Sequence, residues 1–211
     1  MSTVGADRAL LIDLDGVLRL WSPDNDRIAE RVGGLPAGSV RPAAFAQDLL
    51  VPAITGRVSD EQWRQQVLTR LRAEFPAAST ERAVETWSES SGTVDEAVLG
   101  LVRACRRMAR VVLVTNATSR LAHDLERLGI DGEFDAVTNS SVVGVAKPNE
   151  DIYRAALASV GVAPAQAMFV DDSPVNVEAA VGLGMGGHVY RDAQALHAQL
   201  VHTGLIPPDV V

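Results

Sequence analysis

The residues best suited to chemistry lie where apolar runs end. Leu10-Leu11-Ile12-Asp13-Leu14-Asp15-Gly16-Val17 continues an apolar run from Ala9, then meets two acids and a glycine. A run this short, broken at once by polar residues, reads as a buried strand rather than a helix. Side chains two apart on a strand point the same way, so Asp13 and Asp15 project together from its carboxyl end. Gly16 lets the backbone turn there, because it tolerates positive φ. Open α/β sheets bind ligands just outside the carboxyl ends of their strands. Two carboxylates at that edge therefore suggest a cation site and a nucleophile. The plainer alternative is a strand followed by an acid- and glycine-rich turn.

Three more polar groups share this placement. Thr115-Asn116 close the apolar run 111–114, Asp171-Asp172 close the run 167–170, and Lys147-Pro148 precede a helical stretch. Taken singly, each has a structural explanation. Thr115 or Asn116 could cap the next helix, Lys147 could be a solvated charge, and Asp172 or Ser173 could be an N-cap ahead of Pro174. Taken together, they read as groups gathered along one edge of one sheet.

The elements that must position them follow an alternating rhythm. Residues 94–108 read as a helix with Val98, Leu101, Val102 and Cys105 inward, and 111–114 as a strand buried on both faces. Residues 117–128 read as a helix capped by Gly129, 134–137 as a weaker strand, and 149–160 as a helix. A strand at 167–170, a helix at 174–183, a strand at 187–190 and a helix at 192–202 complete the pattern. Strands alternating with helices predict an α/β fold with a doubly wound parallel sheet. Between residue 18 and about residue 92 the pattern is helical, with no convincing strand. A short helix reaches Val32, another runs from Pro42 to about residue 50, and Ser59-Asp60-Glu61-Gln62 has capping-box spacing. Behind that box Trp63, Val67, Leu71 and Phe75 form a stripe on one face. A further helix starts at Ser79-Thr80 and carries Val84 and Trp87. The expected organisation is a core of residues 1–17 and 93–211, with a small all-helical cap of residues 18–92 inserted after the first strand.

Composition narrows the function classes. The chain of 211 residues is 47% hydrophobic and 22% charged, as in soluble globular proteins. A net charge of −8 argues against a nucleic-acid groove, which needs a basic stripe. It does not exclude an anionic substrate, because a bound metal can invert the local field. The single cysteine, Cys105, allows no intrachain disulfide and is expected to fill core space. Residues 1–8 are polar with no hydrophobic signal region, and no apolar run approaches the roughly 20 residues that span a membrane. The expected location is cytoplasmic, and the tail from Pro207 is expected to be loose. His123, His188, His197 and His202 show no ligand spacing and receive no role.

Asp13-Leu14-Asp15-Gly16-Val17, Val114-Thr115-Asn116, Lys147-Pro148 and Asp171-Asp172-Ser173-Pro174-Val175-Asn176 resemble, in this order, the four motifs of the haloacid dehalogenase-like (HAD) hydrolase superfamily. The segment Val143-Gly144-Val145-Ala146 before Lys147 is similar too, and the helical insert looks like the family's C1-type cap. The resemblance implies a Rossmann-like core and a Mg²⁺-dependent phosphohydrolase of small phosphomonoesters working through an aspartyl-phosphate. Asp13 would attack phosphorus. Asp15 would donate a proton to the leaving alcohol and then take one from water, with its backbone carbonyl toward the metal. Asp172 would join Asp13 as a metal ligand, supported by Asp171 and Asn176. Thr115 and the Asn116 backbone would hold the phosphoryl oxygens, and Lys147 would neutralise nucleophile and phosphate.

Charge counting supports that scheme. Four carboxylates and one lysine leave −3, which Mg²⁺ reduces to −1 and a proton on Asp15 to zero. The dehalogenases proper lack an acid at the Asp15 position, which points this chain away from carbon–halogen chemistry. A phosphomutase is the alternative within the fold, but would need a cap acid/base that the sequence does not identify. A phosphoacceptor signalling module places its acidic pair first and has no room for the insert. Arg19 and Trp21 follow the nucleophile loop closely enough to edge the site, where the ring could pack on a substrate ring and the arginine could meet a second anionic group. The expectation nonetheless places Arg19 at the surface, Trp21 between cap and core, and Trp63 and Trp87 in the cap interior. The expected partner is a small phosphorylated molecule, with no nucleic acid or membrane, for a monomer or homodimer.

Overall fold

The computed structural model describes residues 7–209. In chain order its first elements are β1 (Ala9–Ile12), β2 (Arg19–Leu20), α1 (Asn25–Gly33), α2 (Val40–Ala44), α3 (Gln47–Ile54), α4 (Asp60–Glu74), α5 (Thr80–Glu89) and β3 (Thr93–Val94). There follow α6 (Glu96–Cys105), β4 (Arg110–Thr115), α7 (Leu121–Leu128), β5 (Ala136–Asn139), α8 (Ser140–Val143), α9 (Glu150–Val160), β6 (Ala167–Asp171), α10 (Pro174–Gly182), β7 (Gly186–Val189) and α11 (Ala193–His202).

Five strands form one parallel sheet in the order β5-β4-β1-β6-β7, with β1 at its centre. The chain winds outward from β1 to β5, then returns to β6 on the other side. The order reverses between β1 and β6, and Asp13 and Asp171-Asp172 emerge at that point. The apolar run of β1 has its reason here, because both faces are covered. Leu10 and Ile12 pack with Val98, Val102 and Leu196 on one face, while Leu11 packs with Ile152, Tyr153 and Phe169 on the other. Cys105 lies in the first of these clusters, where burial pushes its thiol up to about 12; it fills space, as expected.

Several boundaries differ from the sequence reading. The strand expected at 134–137 lies at Ala136–Asn139, because the register that pairs Val112 with Ala136 leaves Phe134 as a buried side chain ahead of it. The helix expected from 117 begins at Leu121, so that Thr118 and Ser119 sit in a loop. The helix expected at 42–50 is two helices, α2 and α3, broken at Ala46, whose ψ of 132° is extended. The short helix α8 has too few residues for periodicity to reveal.

The stretch 18–92 is not wholly helical. Next to its lower limit, β2 pairs antiparallel with β3, Arg19 opposite Val94 and Leu20 opposite Thr93. Two-residue strands carry no alternation to read. The chain leaves the sheet and returns to it through this ribbon. Between the two passes, α1 to α5 close around their own apolar cluster, which includes Val67, Leu71, Trp63 and Trp87. Burying side chains such as Val67 and Leu71 stabilises the cluster by about 1.5–3 kcal/mol each. The capping box is formed: Ser59 Oγ accepts from the Gln62 amide, and Gln62 Oε1 accepts from the Ser59 amide. This helical block rests on the sheet domain through α3 against α8, where Gly56 at φ +71° passes close over Ser141. Among the described residues no helix is long and apolar enough to cross a membrane. The readings of residues 1–6 and 210–211 lie outside the described residues.

Candidate active site

The turn after β1 is held by its own backbone. The amides of Val17, Leu18 and Arg19 all point at the Leu14 carbonyl, and the Asp13 amide donates to Val170 on β6. Gly16 sits at φ +79°, and a Cβ there would come within 2.9 Å of Asp172 Cγ. Glycine is required on both counts, so the two acidic loops approach to a distance that no larger residue allows.

Asp13, Lys147 and Asp171 form a buried chain of charges. Lys147 Nζ lies 2.7 Å from Asp13 Oδ1 and 2.7 Å from Asp171 Oδ2, and also donates to the Val114 carbonyl at 3.0 Å. The lysine side chain is 1% exposed, so it is no solvated charge. Asp13 Oδ1 also accepts from the Leu14 amide at 2.7 Å. Burial nevertheless pushes the Asp13 carboxyl up to about 7, against the pull of Lys147. Asp172 is raised as well, by desolvation and then by the charge of Asp171.

Asp171 is fully engaged. Its Oδ1 accepts from the Ser173 amide and Asn176 Nδ2, and its Oδ2 from Lys147 and again Asn176. It braces the lysine, and Asn176 braces it. Carboxylate oxygens of Asp13, Asp171 and Asp172 lie within 4.8 Å of one another. A set of hard oxygen donors this compact suits a small divalent cation. Thr115 ends β4, buried beside this group. Asn116 does more than the sequence suggested: its amide grips the Lys147 backbone, accepting from the nitrogen at 2.7 Å and donating to the carbonyl at 3.0 Å. The Lys147-Pro148 peptide is cis.

Two expectations need correction. Arg19 is not a surface residue; it is 4% exposed. Its Nε and Nη2 hold the two oxygens of Asp15 at 2.7 and 2.9 Å, and its Nη1 reaches Asp124 at 3.4 Å. The ribbon is the reason, because it turns residue 19 back beside the loop that carries Asp15. Trp21 does not pack between the helical block and the sheet domain. It is 43% exposed, lies under the Arg19 guanidinium and donates from Nε1 to Asp15 Oδ1 at 2.6 Å. The Asp15 carboxylate therefore faces the ribbon.

Sequence reasoning also missed the contact that joins the helical block to the loop after β4. Thr118 Oγ1 donates to Asp60 at 2.7 Å, and the Asp60 amide donates to Ser119. Asp60 had a visible signal only as part of the capping box. Between block and sheet edge lies a cavity of about 480 Å³, with Asp15 and Asn116 on the sheet side and Phe45, Trp63 and Trp87 on the helical side. Trp63 and Trp87 thus belong to the helical interior and to the cavity wall at once.

Comparison with known proteins decides the family. The model of the haloacid dehalogenase-like hydrolases matches residues 8–184. The chain belongs to the haloacid dehalogenase-like hydrolase family. A sesquiterpene phosphatase of Aspergillus oryzae is 25% identical over 198 residues, covering 92% of this chain and 94% of that protein. A flavin mononucleotide hydrolase of Arabidopsis thaliana is 35% identical over 66 residues, which is 31% of this chain and only 27% of that protein. A phosphoserine phosphatase of Thermus thermophilus is 38% identical over 80 residues, 37% of this chain and 32% of that protein. The chain therefore spans about a third or less of the length of these last two HAD relatives. Among solved structures, a HAD enzyme of Bacteroides thetaiotaomicron in complex with magnesium and inorganic phosphate superposes with a TM-score of 0.73 at 20% identity, covering 90% of this chain and 98% of that one. An L-2-haloacid dehalogenase of Xanthobacter autotrophicus gives 0.63 at 20% identity, over 96% and 85% of the two chains. These superpositions show the shared HAD fold.

Proposed function

We propose that this HAD hydrolase is a Mg²⁺-dependent phosphatase of small phosphomonoesters, working through an aspartyl-phosphate on Asp13. One observation carries the reading. A buried carboxylate, Asp13, faces a lysine at 2.7 Å within a cluster of three acids whose oxygens lie within 4.8 Å. That arrangement would repel a phosphate dianion unless a cation joined it. Asp13 and Asp172, with the Asp15 carbonyl, would hold Mg²⁺, while Asp171 is occupied with Lys147 and Asn176. Bound Mg²⁺ would offset the carboxylate charge and keep Asp13 ionised at neutral pH. The phosphatase names of two relatives support the same chemistry.

The residues then divide the work. An Asp13 oxygen attacks phosphorus as the bond from phosphorus to the alcohol breaks. Asp15 gives its proton to the departing oxygen, and in the second half takes one from the water that releases phosphate. Both Asp15 oxygens are engaged by Arg19 and Trp21, so this carboxyl must first leave their grip. Thr115, the Asn116 backbone and Lys147 hold the transferring group. The helical block of residues 18–92 acts as the C1-type cap that closes over it and excludes water. A phosphate-release assay over a panel of phosphomonoesters, with and without Mg²⁺ and beside Asp13→Asn, tests this. Metal-dependent release from at least one compound and near-total loss in the variant are expected; wild-type rates in Asp13→Asn would overturn it.

A further inference from the structure

All three tryptophans of the chain line the one cavity that Asp15 and Asn116 also border. Phe45 joins them. The rings of Phe45, Trp63 and Trp87 meet edge to face, with centroids 6.5, 6.4 and 5.4 Å apart. Such a triad needs no ligand to be a core, and Trp63 and Trp87 are indeed buried. Phe45 and Trp21 are each 43% exposed, however, so the aromatic wall continues beyond what packing uses. Exposing two large rings toward a single cavity has a cost that a ring-bearing ligand would relieve.

The charges of the wall are already spent. Arg19 pairs with Asp15 and Asp124, Arg41 with Asp26 at 3.3 Å, and Arg64 with Asp60 at 2.6 Å. Each arginine also lies over a ring: Arg19 over Trp21, Arg41 over Phe45, and Arg64 over both Trp63 and Trp87. No arginine of the wall is left without an acid to meet a second phosphate or a carboxylate. What the wall presents instead is ring surface and guanidinium planes, both of which stack on flat π-systems. Ser22, Asn25 and Ser90 add hydroxyl and amide groups to the same wall. Pro23, Leu50, Ile54, Ala117 and Leu121 add aliphatic surface, so the hydroxyl, amide and guanidinium groups among the rings are what favour a polar-edged ring over an isoprenoid tail. A volume near 480 Å³ falls within the roughly 300–1,000 Å³ of small-molecule sites.

We infer that the cavity takes the alcohol half of the substrate, and that this half is an uncharged flat aromatic ring joined to the phosphate through a hydroxylated spacer. Nucleoside monophosphates have this chemistry. The inference rests on the phosphatase reading only for the position of the phosphate; the ring site stands on the cavity itself.

The tryptophans supply the test, since every one of them faces the ligand. The whole chain, free of metal and phosphate, is titrated with uridine, adenosine, farnesol and glucose while indole fluorescence is followed. Saturable change with the nucleosides and none with farnesol or glucose is expected. Phe45→Ala, at an exposed position that leaves the tryptophans in place, should weaken nucleoside binding about tenfold, and Trp21→Ala should weaken it similarly. No response to either nucleoside, or a response to farnesol alone, overturns the inference, as does unchanged binding in both variants. Phosphate release across the panel of phosphomonoesters, with and without Mg²⁺, reports on the phosphatase reading separately. Nucleoside binding without metal-dependent release from any member of the panel sinks that reading and leaves the ring site standing.

Discussion

Replacing Lys147 by methionine isolates the buried charge chain. The side chain fits the same tunnel, but Asp13 and Asp171 lose the ammonium that lies 2.7 Å from each. Breaking a buried ion pair by removing one partner costs about 3–5 kcal/mol. The cost should depend on pH, and its sign follows from Asp13. Burial raises its native pKa to about 7, above the ordinary aspartate value of 3.8. The native state thus keeps a proton that the unfolded chain has lost, so its stability falls as pH rises from about 4 to 7 and is flat above. At about 1.36 kcal/mol per pH unit this group accounts for up to roughly 4 kcal/mol of that fall in the metal-free wild type. Without Lys147 the window extends upward, because the nearest positive charge is gone. The variant should therefore lose about 3–5 kcal/mol at pH 8 and clearly less at pH 5, where Asp13 carries a proton. Urea denaturation followed by far-ultraviolet circular dichroism, in chelator, measures both. A loss under about 1 kcal/mol at pH 8, or an equal loss at both pH values, would refute the role of Lys147 as the buried counterion.

Other expectations follow from the same geometry. If Asp13 holds Mg²⁺ as proposed, the ion must displace the Asp13 proton below pH 7, so calorimetric affinity should fall by up to about tenfold per unit below that point and level off above it; a flat profile from pH 5 to 8 would contradict the site. Gly16→Ala places a Cβ within 2.9 Å of Asp172 Cγ at φ +79°, and should cost about 1–2 kcal/mol of stability while abolishing Mg²⁺ binding in the same titration. Leu71→Ala, fully buried in the helical cluster, should cost about 2–5 kcal/mol by thermal denaturation.

The sheet was legible because its three central strands, β4, β1 and β6, are buried on both faces and end beside acids or Thr-Asn. Asp13, Asp171 and Asp172 could be read from those strand ends, whereas Lys147 was read from a loop ahead of a helix and Asn176 only through the resemblance to the HAD motifs; the structure brings the five together. The ribbon was not legible, since Arg19-Leu20 and Thr93-Val94 are too short to show alternation. Missing the ribbon meant misplacing Arg19, whose partner is decided by a pairing across more than seventy positions of chain. The break between α2 and α3 was hidden because Phe45-Ala46 carries neither glycine nor proline. The role of Phe45 depended on that break. The aromatic wall was invisible for another reason: Trp63 and Trp87 satisfy a helical stripe and a cavity lining at once, and periodicity reports only the first.

The antiparallel pairing of Arg19 with Val94 and of Leu20 with Thr93 sets the two crossings between the halves of the molecule side by side. A segment whose ends are already adjacent can change in length with little penalty, because closing it asks nothing more of the sheet. The five parallel strands should therefore tolerate a graft: a short glycine-rich bridge, or a different set of helices, joined at these two neighbouring points. The aromatic wall would leave with the excised piece, while the acids and the lysine would stay.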